Sequence, residues 1–439
     1  MTIYALASGQ GRAAIAVIRL SGPATTPTIR AMIGDQPLPA PRQAALRTLY
    51  DQQGGVLDRS LVLLFPGPAS YSGEDMAELH IHGGPAVQAA LLRALGEYPG
   101  LRPAEPGEFS RRAFANGKMD LSEIEGLADL MAAETEAQRR QSLDQASGKF
   151  RRWADEMGAR LLAVQALSEA LIEFPDEDLP SDVRAEIDRR LDDALAAFDH
   201  VLVDERRGEI VRDGYRIVLL GAPNAGKSTL LNALARRDVA IVSHEPGTTR
   251  DVLEVVLDLD GMRVILADTA GLRTSDSAVE QEGMRRALKL GQEAELRLIL
   301  AESLSALSTD LLAALATGPG AILLTKRDLH PGPAPENWRG HTVLALSAQS
   351  GEGMSDLVTY LACQAASAMQ GEAPLITRAR HRTILASART AIAAARTAHL
   401  PELQAEELRR ALHALGRITG RYDVEQMLDI LFREFCIGK

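Results

Sequence analysis

Cysteine is scarce. The 439 residues hold two, Cys363 and Cys436, which cannot build a disulfide framework and suit a reducing compartment, so a cytoplasmic location is expected. Aromatic residues are thin at 4%, leaving Leu, Ala, Ile and Val to fill the cores, a composition that favours helix. No stretch approaches the roughly 20 apolar residues of a membrane span. The opening MTIYALASGQGR has no basic region followed by an apolar run, so no signal peptide is expected. Basic charge is also in deficit: 48 Lys and Arg against 59 Asp and Glu give a net charge of −11. A chain of that sign has no general affinity for nucleic acid, and an RNA contact would need a local basic patch. No such patch with interleaved aromatics stands out, nor does any repeat or low-complexity tract.

What is present reads as several domains, since a chain of this length exceeds one core. Residues 1–118 are broken by glycine and proline, with short β-branched runs at Ala14–Leu20, Leu61–Phe65 and Met76–His82 and a helix at Ala86–Leu95. This is a compact α+β domain. Glu78, His80 and His82 alternate and so share one face of their strand, which fits either a ligand or metal pocket or a half-exposed polar face. Pro103–Lys118, with Arg111, Arg112 and Lys118, reads as loop. From Met119 the pattern turns helical: Leu121, Ile124, Leu127, Ala128 and Met131, then 161–171, then Val183, Ile187, Leu191, Leu195, Phe198 and Leu202. The acidic, proline-bounded segment 173–180 separates them. Residues 213–366 alternate strand and helix. Helix resumes over 384–398, 402–415 and 424–435, so one helical bundle, 119–212 and 367–439, is expected to be split by an inserted α/β domain. Cys436 stands fourth from the end, but the glycine and terminal lysine after it fit a prenylation signal poorly.

The most informative stretch is Gly221–Ser228, which reads G-x-x-x-x-G-K-S between the apolar run Tyr215–Leu220 and a leucine-spaced helix at 229–236. Strand, glycine loop and helix is the context of a phosphate-binding loop. Backbone N–H groups around Asn224, Ala225, Gly226 and Thr229 can wrap a polyphosphate at a helix N-terminus; Lys227 reaches the outer phosphates and Ser228 offers its hydroxyl to Mg²⁺. Four more elements follow in the order a GTPase requires. Gly247-Thr248-Thr249-Arg250-Asp251 supplies Thr249 for Mg²⁺ and γ-phosphate. Asp268-Thr269-Ala270-Gly271 places Asp268 to hold Mg²⁺ through water and the Gly271 N–H to sense the γ-phosphate. Thr325-Lys326-Arg327-Asp328 offers the Asp328 carboxylate to the N–H donors of guanine, and Ser347-Ala348 closes over the base. GTPases usually carry Asn where this chain has Thr325, so guanine selectivity is expected to survive with weaker affinity.

These segments, with VIRLSG (17–22), YSGEDMAELHIHGGP (71–85), RPAEPGEFSRRAFANGK (102–118), IEFPDED (172–178) and the terminal FCIGK (435–439), resemble the MnmE (TrmE) family of tRNA modification GTPases from end to end. The resemblance implies an N-terminal folate-binding and dimerisation domain, a discontinuous helical bundle and an inserted Ras-like P-loop GTPase domain. It implies a homodimer which, with an MnmG-type flavoprotein using FAD and NADH, adds aminomethyl or carboxymethylaminomethyl groups at C5 of the wobble uridine of certain tRNAs. Formyl- or methylene-tetrahydrofolate is implied at Arg19, Glu78, Lys118 and Lys439, where a carboxylate suits the pterin donor edge and cations suit the folate carboxylates.

The resemblance also implies a K⁺ ion in place of an arginine finger, held by Asn224 with Ser243, Glu245 and Thr248, the two G domains meeting across it. Pro246 stands in that loop, and the family usually has Thr at the position of Ser243. Glu280 matches the water-orienting glutamate, and Cys436 is a candidate nucleophile or general acid in the uridine chemistry. Two other readings stay open: a regulatory or ribosome-assembly GTPase without modification chemistry, and a folate-dependent one-carbon enzyme regulated by its G domain.

Overall fold

The computed structural model describes the chain except residues 10, 174–182, 204–205, 238, 242–252, 269–293, 317, 372, 421–437 and 439. It divides into two units: Met1–Ala128 with Gln145–Ala194 and Thr390–Lys439, and Asp129–Asp144 with Leu195–Arg389.

In the first unit the chain runs β1 (Thr2–Leu6), β2 (Ile15–Ser21), α1 (Thr25–Ile33), β3 (Ala45–Tyr50), β4 (Val56–Phe65), β5 (Met76–His82), α2 (Pro85–Gly96), β6 (Leu101–Pro103) and α3 (Glu108–Ala115). Among the described residues these strands form one sheet, order β3-β4-β5-β2-β1-β6. Alternation sets its two faces. Ile18, Leu20, Val62, Leu79 and Ile81 pack under α1 and α2 against Ile29, Met32, Leu91 and Leu95. On the other face Val17, His80, Leu61 and Leu46 form a row across four strands. Ile15, Leu46 and Leu61 on that face are 63%, 46% and 41% exposed.

The segment expected to be loop contains α3. Phe109 of this helix is fully buried in a cluster with Ile3 and Ala5, and Arg112 pairs with Glu74 at 2.8 Å and Glu108 at 3.1 Å. The helix has only eight residues, and its one apolar i,i+4 pair, Phe109 and Ala113, gives too little periodicity to distinguish it from loop.

The helices that follow are α4 (Leu121–Ala132), α5 (Glu136–Ala146), α6 (Lys149–Glu173), α7 (Val183–Leu202) and α8 (Arg207–Asp213). The second unit's sheet begins with β7 (Tyr215–Gly221), then α9 (Lys227–Ala235), β8 (Leu253–Leu259), β9 (Met262–Asp268), β10 (Leu296–Ala301), α10 (Thr309–Leu315), β11 (Gly320–Leu324), β12 (Asn337–Trp338), β13 (His341–Ala345) and α11 (Met354–Ala368). Its order is β12-β13-β11-β10-β7-β9-β8. Only the edge strands β12 and β8 run antiparallel to their neighbours. Helices cover both faces. Leu230, Leu234, Leu357 and Leu361 lie on one, and Leu311 and Leu315 on the other against Val218, Leu220 and Ile299. Burial on both faces is why Ile217–Leu220 is a continuous apolar run rather than an alternating one.

The chain then returns to helix in α12 (Ala379–Thr397) and α13 (Pro401–Thr419). In the first unit α13 packs along α6. There the Ser168 hydroxyl donates to Gln404 Oε1 at 3.0 Å, and Gln404 Nε2 donates to the Ala395 carbonyl. In the second unit Arg389 of α12 pairs with Asp199 of α7. Helices from either side of the α/β segment therefore pack on one another. Among the described residues no helix is long and apolar enough to cross a membrane.

Helix α4 is entered through a reciprocal cap: Asp120 Oδ1 accepts from the Glu123 N–H, and Glu123 Oε2 accepts from the Asp120 N–H. Asp120 is 7% exposed, its Oδ2 has no hydrogen-bond partner, and burial pushes its carboxyl up from 3.8 to about 6. The folded state thus binds a proton the unfolded state releases, so this residue's contribution to stability falls as pH rises from about 4 to 6. Asp120→Asn keeps the capping oxygen and removes the charge. Denaturant melts of this variant should lose that pH slope and gain up to about 3 kcal/mol at pH 7.5; an unchanged slope would refute the assignment.

Candidate nucleotide site

The candidate site sits at the carboxyl ends of the parallel strands, where ligands bind in open α/β sheets. β7 ends at Gly221, where a Cβ would stand 2.5 Å from the Leu300 carbonyl of neighbouring β10; only glycine permits that approach. The loop then turns through Asn224 at φ +66° and Gly226 at φ +95°. α9 starts immediately, its first intrahelical bond running from the Leu230 N–H to Gly226. The N–H groups of Lys227, Ser228 and Thr229 lie in the first turn, where a helix offers no acceptor of its own. Lys227 is 7% exposed, and its Nζ donates to the carbonyls of Gly221 and Ala222 at 2.8 and 3.0 Å.

Beside the loop, β9 ends at Asp268, fully buried and paired in parallel register with Leu219 of β7. The Ser228 hydroxyl donates to Asp268 Oδ2 at 2.8 Å. A hydroxyl and a carboxylate converging beside a phosphate loop are the oxygen donors Mg²⁺ favours, so these residues fit that ion. Among the described residues no group of three or more His, Cys, Asp and Glu could hold a metal unaided.

The far end of the site is built by the segments after β11 and β13. Thr325 is 3% exposed, and its hydroxyl donates to the Ala225 carbonyl at 2.9 Å, so it braces the phosphate loop. The Ser347 hydroxyl donates to Asp328 Oδ1 at 2.6 Å, holding that carboxylate at the rim of a cavity of about 150 Å³ lined also by Thr229, Lys326 and Ala348. Lys326, at φ +57°, pairs with Glu302 at 2.5 Å, and this pairing holds the Glu302 carboxyl low. Glu302 carries no motif, and only the fold brings it here.

The structure therefore brings together Asn224, Ala225, Gly226, Lys227, Ser228, Thr229, Asp268, Thr325, Lys326, Asp328, Ser347 and Ala348. Ser243, Glu245, Thr248, Thr249, Thr269, Ala270, Gly271, Glu280, Cys436 and Lys439 lie outside the described residues.

A second cluster lies on the N-terminal sheet. Arg19 and Glu78 are cross-strand partners on β2 and β5, and Arg19 donates to Glu78 Oε1 from Nε at 3.1 Å and from Nη2 at 2.8 Å. Its Nη1 reaches the Gly438 carbonyl at 3.3 Å, bringing the penultimate residue to this sheet. The guanidinium lies 5.6 Å from the ring of Tyr71 and 5.8 Å from that of Phe109, two neighbours to which the sequence alone assigns no role. Lys118 Nζ donates to the Pro68 carbonyl at 3.0 Å. Glu78, His80 and His82 do share a face. His80 Nε2 lies 3.3 Å from Glu78 Oε2 and His82 Nδ1 2.7 Å from Asp58 Oδ1, so each imidazole is hydrogen-bonded to a carboxylate. Burial pushes the Asp58 carboxyl up, but its hydrogen bonds from His82 outweigh this and hold it low.

Comparison with known proteins adds to this geometry. A family model described as the GTP-binding protein TrmE N-terminus matches residues 2–118, and one described as the MnmE helical domain matches 121–436. The tRNA modification GTPase MnmE of Parvibaculum lavamentivorans is 50% identical over 445 residues, covering 100% of both chains. That of Paramagnetospirillum magneticum is 50% identical over 442 residues, covering 100% of this chain and 99% of the relative. That of Rhodospirillum rubrum is 47% identical over 456 residues with the same coverage. Matched along its whole length, and carrying the phosphate loop where such a fold needs it, the chain belongs to the MnmE (TrmE) family of tRNA modification GTPases.

Proposed function

We propose that the chain hydrolyses GTP and uses the cycle to drive modification of tRNA. With an MnmG-type flavoprotein using FAD and NADH, it would add aminomethyl or carboxymethylaminomethyl groups at C5 of the wobble uridine. The observation that carries the nucleotide reading is the contact of Ser228 with Asp268 at the ends of adjacent parallel strands, with Asp328 and Ser347 hydrogen-bonded at the base end. The RNA reading rests on full-length likeness to curated tRNA modification GTPases.

In this reading the first-turn amides of α9 hold the β- and γ-phosphates and Lys227 exchanges its loop carbonyls for phosphate oxygens. Ser228 and Thr249, with Asp268 through water, hold Mg²⁺, which when bound offsets charge on the transferred phosphoryl group. Asn224, Ser243, Glu245 and Thr248 hold K⁺, whose charge serves where other GTPases use an arginine. Glu280 aligns the attacking water. Asp328 accepts from the guanine edge, while the single Thr325 proton goes to Ala225, leaving the base without the amide brace of an asparagine.

Arg19 and Glu78, with Lys118 and Lys439, bind a formyl- or methylene-tetrahydrofolate. The half-buried, aromatic-flanked ion pair fits a pterin, because the carboxylate can accept from its donor edge. The uncovered sheet face bearing Ile15, Leu46 and Leu61 supports a homodimer formed through the N-terminal sheet. Cys436 acts on the uridine side of the chemistry, and the assembly works in the cytoplasm.

The decisive test is nucleoside analysis of tRNA from a deletion strain. Loss of the C5 modification, restored by the wild-type gene, is expected; normal wobble uridine in the deletion strain would leave the regulatory GTPase reading in its place. Glu280→Ala should keep GTP affinity and slow turnover by about 10²-fold or more, and replacing K⁺ with Na⁺ should slow the wild type by a comparable factor. Equal turnover in the two salts would remove the ion from the mechanism. Glu78→Gln should weaken tetrahydrofolate binding by about tenfold or more, read by calorimetry, since a charge-assisted bond is worth about 1.5–3 kcal/mol; unchanged affinity would remove Glu78 from the site.

A further inference from the structure

The β8–β9 hairpin connects two segments that the nucleotide reading places at the γ-phosphate. β8 begins just after residues 247–251, and β9 ends at Asp268. The strands are paired without a break from Leu253↔Asp268 to Leu259↔Met262. The turn at the opposite end is Asp260-Gly261, at φ +53° and +81°, the two left-handed residues of a type I′ hairpin. The Gly261 N–H is closed onto Asp258 Oδ1 at 2.7 Å. Its carbonyl is used elsewhere, accepting from the Ala137 N–H at 3.0 Å.

Ala137 is in the first turn of α5, whose N–H groups have no intrahelical acceptor. The hairpin tip thus caps a helix roughly 125 residues away in sequence. A Cβ on Gly261 would stand 3.4 Å from Glu136 Cβ. Arg263 Nε lies 3.2 Å from Glu134 Oε2, although the N–H is not aimed well enough for a hydrogen bond.

The same helix is tied at a second point. Gln138, 5% exposed, caps the helix start by accepting from the Glu134 and Thr135 N–H groups. Its amide Nε2 donates to the Arg212 carbonyl at 2.8 Å, just before β7 begins at Tyr215. Gln141 adds a bond to the Gly208 carbonyl at 2.9 Å. One end of α5 therefore rests on the strand pair carrying the nucleotide-sensing segments, and its side chains hold the base of the strand carrying the phosphate loop. A shift of the hairpin against β7 has to be absorbed at the first turn of α5.

We propose that this turn-to-helix cap is the relay by which nucleotide state reaches the helical segments, with Gln138 and Gly261 as positioning residues. The inference rests on the GTP reading above. Linkage makes it reciprocal: whatever holds α5 also biases the nucleotide site.

The test is amide hydrogen exchange on the full chain, loaded with GDP or a non-hydrolysable GTP analogue, with occupancy checked by fluorescent-nucleotide displacement. Protection over 136–141 should differ by about fivefold or more between the two states; equal protection at full occupancy overturns the relay. Failure of the wild type to take up either nucleotide would instead overturn the GTP reading itself. Gln138→Glu keeps a capping oxygen at the helix start but loses the donor to Arg212. It should hydrolyse GTP within about twofold of wild type, lose the state-dependent exchange difference and lower tRNA modification by about tenfold. Wild-type modification in this variant would also overturn the proposal. Arg263→Gln, altering the half-buried flank of the same contact, should narrow the exchange difference in the same direction if Gln138→Glu fails to fold; an exchange difference at the wild-type level would count against the relay.

Discussion

The bond from the Thr325 hydroxyl to the Ala225 carbonyl joins the two ends of the nucleotide site. A phosphate loop must turn its N–H groups toward the ligand, which leaves its carbonyls pointing into the protein and in need of donors. Lys227 serves two of them, at Gly221 and Ala222, and Thr325 serves the third. Because Thr325 is buried, losing that bond would leave a polar group unsatisfied at a cost of about 1–3 kcal/mol. The geometry of Asn224, Gly226 and the first turn of α9 follows from these ties. So does the position of Asp328, three residues beyond Thr325.

That constraint explains how a threonine can stand where GTPases usually carry asparagine. An asparagine amide has two donors and a carbonyl, enough to serve a loop carbonyl and other partners together. A hydroxyl has a single proton, and here it goes to the loop. The chain keeps the element that shapes the phosphate end and gives up a brace at the base end, where the Asp328–Ser347 hydrogen bond remains.

Legibility in the sequence followed how far each feature depends on neighbours in the chain. The phosphate loop was readable because strand, glycines, lysine and helix are contiguous. β7 was readable because burial on both faces makes Ile217–Leu220 continuously apolar, and β5 because burial on one face makes it alternate. α3 was not, since eight residues hold barely two turns and its anchor Phe109 reports on Ile3 and Ala5, far away in sequence. Arg19 is named only through resemblance, and Glu78 through resemblance and its place on one strand face with His80 and His82; their pairing is a product of sheet register. Glu302 beside Lys326, the aromatic rings beside Arg19, and the docking of Gly261 on α5 had no local signal at all, because each joins elements whose separation only the fold closes.

Splitting the helical part of the chain around an α/β segment has a consequence for biosynthesis. Ser168 and its partner Gln404 are 236 positions apart, so α6 leaves the ribosome well before α13 exists to cover it. At roughly 5–20 residues per second, Leu161 and Val164 wait on the order of ten to fifty seconds for their apolar neighbours. For that interval the nascent chain carries an exposed greasy stripe while the intervening module folds. Cells making this protein must either shield that stripe with chaperones or rely on transient burial within the first helices.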